Sequence, residues 1–232
     1  MVRDTVQAES SDHVDKFRFI LMSGNTGNGK SRILEALREK GEQVLHLEEM
    51  AKHKGSVLGP YHNEAQPNQK YFESNVFDLL HFKFRAERVV WVEYESFKIG
   101  NITVPKLVSN KMLKSDRIHI DVNLEERIRF IMKDYSYLLD DKQLLLKYLD
   151  KLKRLAGKRK VEEWSEMVMK EDNESLVRDL VNDYYDKCYR TPRGDPIRVF
   201  TVADGLITNN QALLQSSLVI DIIQLGNDLM MK

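Results

Sequence analysis

Eight consecutive residues, Gly24-Asn25-Thr26-Gly27-Asn28-Gly29-Lys30-Ser31, satisfy G-x-x-x-x-G-K-[ST] in full, and no other feature constrains the fold as tightly. Glycines let backbone N–H groups turn inward around phosphate oxygens, the lysine adds a point charge, and the hydroxyl is placed for Mg²⁺. The helix that must follow adds its dipole at the same spot. The flanks agree. Phe17 to Ser23 is a short apolar run, and Ile33, Leu34 and Leu37 share one helical face before Gly41. A second strand is expected at Gln43 to Leu47, so a βαβ unit closes within this stretch and demands a parallel sheet with a right-handed crossover.

Further strands are expected at Arg88 to Val92, Arg117 to Val122 and Pro196 to Val202. Helices are expected from Asn68 to Phe82, after Asn123 (whose partner Glu126 completes a capping-box pattern), and from 209 to 224. Residues 52 to 67 carry Gly, Pro, His and Asn with no apolar period and read as a long functional loop. The whole is an α/β fold: a P-loop NTPase-like three-layer sandwich on a mostly parallel five-stranded sheet, with a helical insert or lid. Residues 1–16 read as a disordered polar lead, and 17–226 as the P-loop domain with a charged helical segment at 140–190. Apolar runs are too short to span a bilayer. A single cysteine, Cys188, excludes an intramolecular disulfide framework and, with the polar lead, favours the cytoplasm. Lys plus Arg and Asp plus Glu balance at 36 each, so any nucleic-acid contact needs a local patch.

Glu93 ends an apolar strand, where a carboxylate holds Mg²⁺ through water or acts as a base; Glu95 lies two residues on. With Lys30 these are the candidate catalytic residues, and Ser31 and Glu93 the candidate Mg²⁺ contacts. Arg127 and Arg129 open a helix and are placed either to close over phosphates or simply to face solvent. Arg154, Lys158 and Arg159, in the most basic stretch of the chain, offer an RNA backbone contact or a solvated helix face. His53 and His62 make a weak metal signal, and Cys188, among Tyr184, Tyr185 and Tyr189, reads as packing.

The ordered stretches GNTGNGKS (24–31), GEQVLHLE (41–48), HKGSVLG (53–59), QPNQKYFE (66–73), VVWVEYESFKIG (89–100), LEERI (124–128), RLAGKRK (154–160) and YYDKCY (184–189) resemble the P-loop half of the tRNA 2-selenouridine synthase family. The resemblance implies action on tRNA bearing wobble 2-thiouridine: S-geranylation from geranyl diphosphate, then conversion to 2-selenouridine with selenophosphate. It implies that His53, Lys54, Gly55, Ser56, Gln66, Gln69, Glu73, Glu93, Glu95 and Ser96 line the site. It also implies a rhodanese-domain partner, since that family carries a rhodanese-like domain that the stretch before Phe17 does not supply. The chain departs from the family pattern at His46, Tyr94 and Phe97, where the family has Asp, Asp and Arg; the last two changes alter the metal arrangement and the charge complement. Two other readings stay open: a small P-loop kinase or NTPase binding ATP or GTP, and a non-catalytic nucleotide-binding module.

Overall fold

The computed structural model describes residues 13–61, 64–94, 96–188 and 194–231. Five strands form the main sheet: β1 (Arg18–Ser23), β2 (Gln43–Leu45), β3 (Val89–Glu93), β6 (Asp116–Asp121) and β7 (Arg198–Thr201). Their order is β2-β3-β1-β6-β7, and every pairing is parallel. The phosphate-loop strand is therefore central, with the acidic strand β3 hydrogen-bonded directly to it and Met22 opposite Glu93. A separate antiparallel hairpin, β4 (Lys98–Ile99) and β5 (Ile102–Thr103), follows β3.

Central strands covered on both faces read as continuous apolar runs, and here the two faces feed two cores. Ile20, Met22, Val89 and Trp91 face one core, shared with α1 (Lys30–Glu39). Phe19, Leu21, Val90 and Val92 face the other, under α2 (Leu47–Ala51), α3 (Gln69–Asp78) and α4 (Lys106–Met112). Three layers result, as expected. The chain then enters α5 (Leu124–Asp134) and a helical unit: α6 (Ser136–Leu139), α7 (Lys142–Lys151), α8 (Lys153–Ala156), α9 (Lys158–Met169) and α10 (Asn173–Asp179). After α10 come a π-helical stretch, Leu180–Tyr185, and a last turn, Asp186–Cys188. This unit builds its own core around Trp164, which also takes in Ile128 of α5 and Leu58 of the long loop. Beyond β7, α11 (Asn210–Leu214) and α12 (Ser217–Met230) close the first core, where Gly226 lets the backbone approach the Trp91 ring.

Several boundaries differ from the sequence expectation. The second strand stops at Leu45, because a short helix begins at Leu47 and buries Leu47 and Ala51. The closing helix is two helices, because the Ser216 side chain caps a new start at Ser217. Within the stretch expected as a disordered lead, His13–Asp15 form a helical turn, Val14 is buried in the second core, and Lys111 Nζ donates to Asp15 O at 2.9 Å. Residues 1–12 lie outside the described residues. Among those described, no helix is long and apolar enough to cross a membrane.

Candidate phosphate-binding site

The phosphate loop joins the carboxyl end of β1 to α1, the place where open α/β sheets bind ligands. Gly27 and Gly29 both have positive φ, +84° and +68°, a region in which side chains are strained. They are also crowded. A Cβ on Gly27 would lie 2.7 Å from Ile131 Cδ1, and one on Gly29 would lie 2.8 Å from Ile207 Cγ2. The side chain of Asn28 is buried and donates through Nδ2 to Ile120 O, while its Oδ1 has no partner among the described residues. Lys30 Nζ reaches back across the loop to Gly24 O at 2.8 Å, so its charge stands over the loop carbonyls.

Glu93 is buried at the end of β3. Its Oε1 lies 3.5 Å from Ser31 Oγ and 3.1 Å from His46 Nδ1, and its Oε2 accepts from the Glu48 amide at 2.9 Å. Burial alone would raise the carboxyl's pKa. The charge and hydrogen bond of His46, the Glu48 amide and nearby Lys30 outweigh burial and hold it below its ordinary value. His46 is correspondingly raised: burial opposes its charge, and Glu93 overcomes that. His46 Nδ1 also lies 3.5 Å from the Glu49 amide, but a proton on Nδ1 serves the shorter, charged contact. Glu93 is thus an ionised carboxylate beside the loop serine, a fit for Mg²⁺ held by Ser31 and by Glu93 through water. Among the described residues no group of three or more His, Cys, Asp and Glu is placed to hold a metal.

The loop opens into a cavity of about 1060 Å³. Its walls carry Lys54, Gly55, Ser56 and Ser96 of the expected set, together with an aromatic group: Tyr61, Tyr94, Phe97, Tyr135, Tyr184 and Tyr185. Lys54 Nζ donates to Asp134 Oδ2 at 2.6 Å and stands 4.1 Å from the centre of the Tyr135 ring. Burial pushes the Tyr135 and Tyr61 phenols well above their ordinary range, so both stay neutral. Cys188, expected as packing, is instead exposed at the cavity's rim.

Other expected site residues lie elsewhere. Gln66 Nε2 donates to Ala51 O and Ile99 O, and Gln69 Nε2 to Thr103 O at 2.6 Å, with Glu73 accepting from Gln69. Gln66 and Gln69 fasten the β4–β5 hairpin to α3 and its approach, Glu73 holds Gln69 from within α3, and none of the three lines the cavity. His53 is buried beneath the same loop, its Nδ1 without a partner among the described residues, and burial lowers its pKa. Arg127 does not hang over the phosphates. Its Nε donates to Thr26 O at 2.8 Å and its two terminal nitrogens to Asp186 at 2.9 and 2.6 Å. It is a buried strut between the phosphate loop and the end of the helical unit. Arg129 pairs with Glu126. Arg154, Lys158 and Arg159 are exposed around the Gly157 turn, with Glu163 beside Arg159 at 3.0 Å. Glu95 and His62 lie outside the described residues.

β6 carries a polar stripe that has no counterpart among the expected site residues. The alternation Arg117-Ile118-His119-Ile120-Asp121 sends Ile118 and Ile120 into the first core and the three polar residues to the other face. His119 lines the cavity beside Ser23. The period-two pattern was the available signal.

The model of the family described as the tRNA 2-selenouridine synthase AAA domain matches residues 17–148. A tRNA 2-selenouridine synthase from Shewanella sediminis is 36% identical over 118 residues, 50% of this chain and 31% of that protein. One from Marinobacter nauticus is 27% identical over 213 residues, 80% of this chain and 56% of that protein. The chain thus spans from a third to about half the length of these relatives. A crystal structure of TT1252 from Thermus thermophilus aligns with 88% of this chain and 97% of that one, at 14% identity and a TM-score of 0.37; the fold stands on the strand order itself. With its family match over residues 17–148 and a complete phosphate loop on the central strand, the chain belongs to the tRNA 2-selenouridine synthase AAA domain family.

Proposed function

We propose that this chain is the P-loop part of a tRNA-modifying transferase that moves a geranyl group from geranyl diphosphate to wobble 2-thiouridine in tRNA. The observation that carries the reading is the continuity of two chemistries in one cavity. A phosphate loop with Lys30 at one end meets an aromatic wall, which suits a diphosphate bearing an apolar chain. Loop amides and Lys30 bind the diphosphate and neutralise the charge that grows on it as it leaves. Mg²⁺, held by Ser31 and Glu93, would neutralise further charge on the same leaving group. Tyr61, Tyr94, Phe97 and Tyr135 hold the chain and exclude water, which would otherwise compete with the sulfur as nucleophile. Arg154, Lys158 and Arg159 contribute phosphate contacts to the tRNA. Conversion to 2-selenouridine with selenophosphate is assigned to a rhodanese-domain partner acting on the product.

The test is nucleoside mass analysis of 2-thiouridine-bearing tRNA after incubation with the protein, Mg²⁺ and geranyl diphosphate. The expected result is a mass gain of one geranyl group, lost in Lys30→Ala. ATP turnover with a small phosphate acceptor, and no geranylation, would replace this reading with a kinase.

A further inference from the structure

His119 is a titratable group on the cavity wall that neither phosphate binding nor Mg²⁺ binding uses. It lies opposite Ser23 in the β1–β6 register, and its tautomer follows from counting hydrogens. Ser23 Oγ has three neighbours: Arg117 Nη1 at 2.8 Å, Ile118 O at 2.8 Å and His119 Nδ1 at 3.2 Å. A guanidinium only donates and a carbonyl only accepts. Arg117 therefore fills one lone pair of the hydroxyl, and the single hydroxyl hydrogen goes to Ile118. What faces Nδ1 is the remaining lone pair of Oγ, which requires the proton on Nδ1. Nε2 is then the basic nitrogen, and no hydrogen bond to it is made among the described residues. The charges facing the ring are Arg117 and Asp121 on its own strand and Lys30 on α1. Burial first, then the two cations, outweigh Asp121 and keep the imidazole below its ordinary value. It is neutral, as a base must be.

We propose that His119 is the general base of the transfer, accepting at Nε2 the N3 proton of the 2-thiouracil ring as its sulfur is alkylated. The inference rests on the transfer reading above. In the step, the sulfur forms a bond to C1 of the prenyl group while the C1–O bond breaks. The electron pair of that bond leaves with the diphosphate. The N3–H pair becomes part of the ring's new C2=N3 bond, and its proton passes to His119. A neutral thioether, free diphosphate and an imidazolium result, so no oxidant or reductant is needed.

Two measurements test the assignment. The first is the pH dependence of prenyl transfer for the wild type, His119→Gln and Ser23→Ala. The wild-type rate should fall in acid with a midpoint below that of a free imidazole. His119→Gln should lose about 100-fold or more in kcat at neutral pH, keep its KM for geranyl diphosphate, lose the acid limb, and recover as hydroxide rises. Ser23→Ala, which leaves the ring in place, should show a smaller loss in kcat. The second is histidine nitrogen NMR on the unliganded wild type, expected to show the Nδ1–H tautomer at His119. Transfer that survives His119→Gln with its acid limb intact, or an Nε2–H tautomer, overturns the role of His119 and leaves the transfer reading standing. A wild type that transfers nothing overturns both.

Discussion

At the residue scale, the same side-chain type does different work according to what surrounds it. Lys30 and Arg127 both touch the phosphate loop through backbone carbonyls, at Gly24 and Thr26. Lys30 borders the cavity, whereas Arg127 is spent on Asp186. Removing one partner of a buried ion pair leaves an uncompensated charge, so Arg127→Leu should cost about 3 kcal/mol of stability. That is toward the low end for such a pair, because the Asp186 side chain keeps 28% of its exposure. Denaturant unfolding of Arg127→Leu, Asp186→Asn and the double variant gives the coupling between them. A coupling near zero would mean that the strut does not link loop and helical unit. The residue scale is also where sequence reading fails most. Arginines at the start of a helix look alike whether they face a ligand or a half-buried aspartate 59 positions away, and only tertiary structure separates the two.

At the element scale, the sequence was most legible where local chemistry and tertiary structure agree. The strand–loop–helix around Gly24 to Ser31 formed as its pattern required. Asn123 caps α5 by accepting from the Glu126 amide at 2.9 Å, as the spacing of those residues implied. The hairpin β4–β5 was not legible, because two residues per strand carry no period. Its geometry depends on distant side chains instead: Gln69 Oε1 accepts from Thr103 N at 2.9 Å, and Gln66 Oε1 from Asn101 N at 2.8 Å. The same contacts decide what Gln69 does. Gln69→Ala should lower stability by about 1 kcal/mol for the lost hydrogen bonds and speed amide exchange at Thr103, while the affinity for diphosphate stays unchanged. A large loss of diphosphate affinity with stability intact would instead put Gln69 in the binding site.

At the scale of the whole molecule, the fold places one central loop between two unlike partners. On one side lies the sheet, with an ionised Glu93 and a neutral His119 on the two strands that flank β1. On the other lies the helical unit, which brings Tyr184, Tyr185 and Cys188 to the cavity rim. The sequence showed that the segment at 140–190 is helical and charged. It did not show that this unit has a core of its own anchored by Leu58 of the long loop, because that contact joins segments whose patterns are unrelated. The aromatic wall was invisible for the same reason: its members come from separate stretches of chain, around residues 61, 94–97, 135 and 184–185. The central claim is that this wall and the phosphate loop bind one molecule. Titration calorimetry with geranyl diphosphate, inorganic diphosphate and ATP, each with Mg²⁺, tests it most directly. Geranyl diphosphate should bind at least about tenfold tighter than diphosphate, a gain of about 1.4 kcal/mol or more. Binding should carry a negative heat-capacity change from apolar burial, and Lys30→Ala should weaken all three ligands. A geranyl chain that adds nothing to the affinity of diphosphate, with ATP bound tightest, would contradict it.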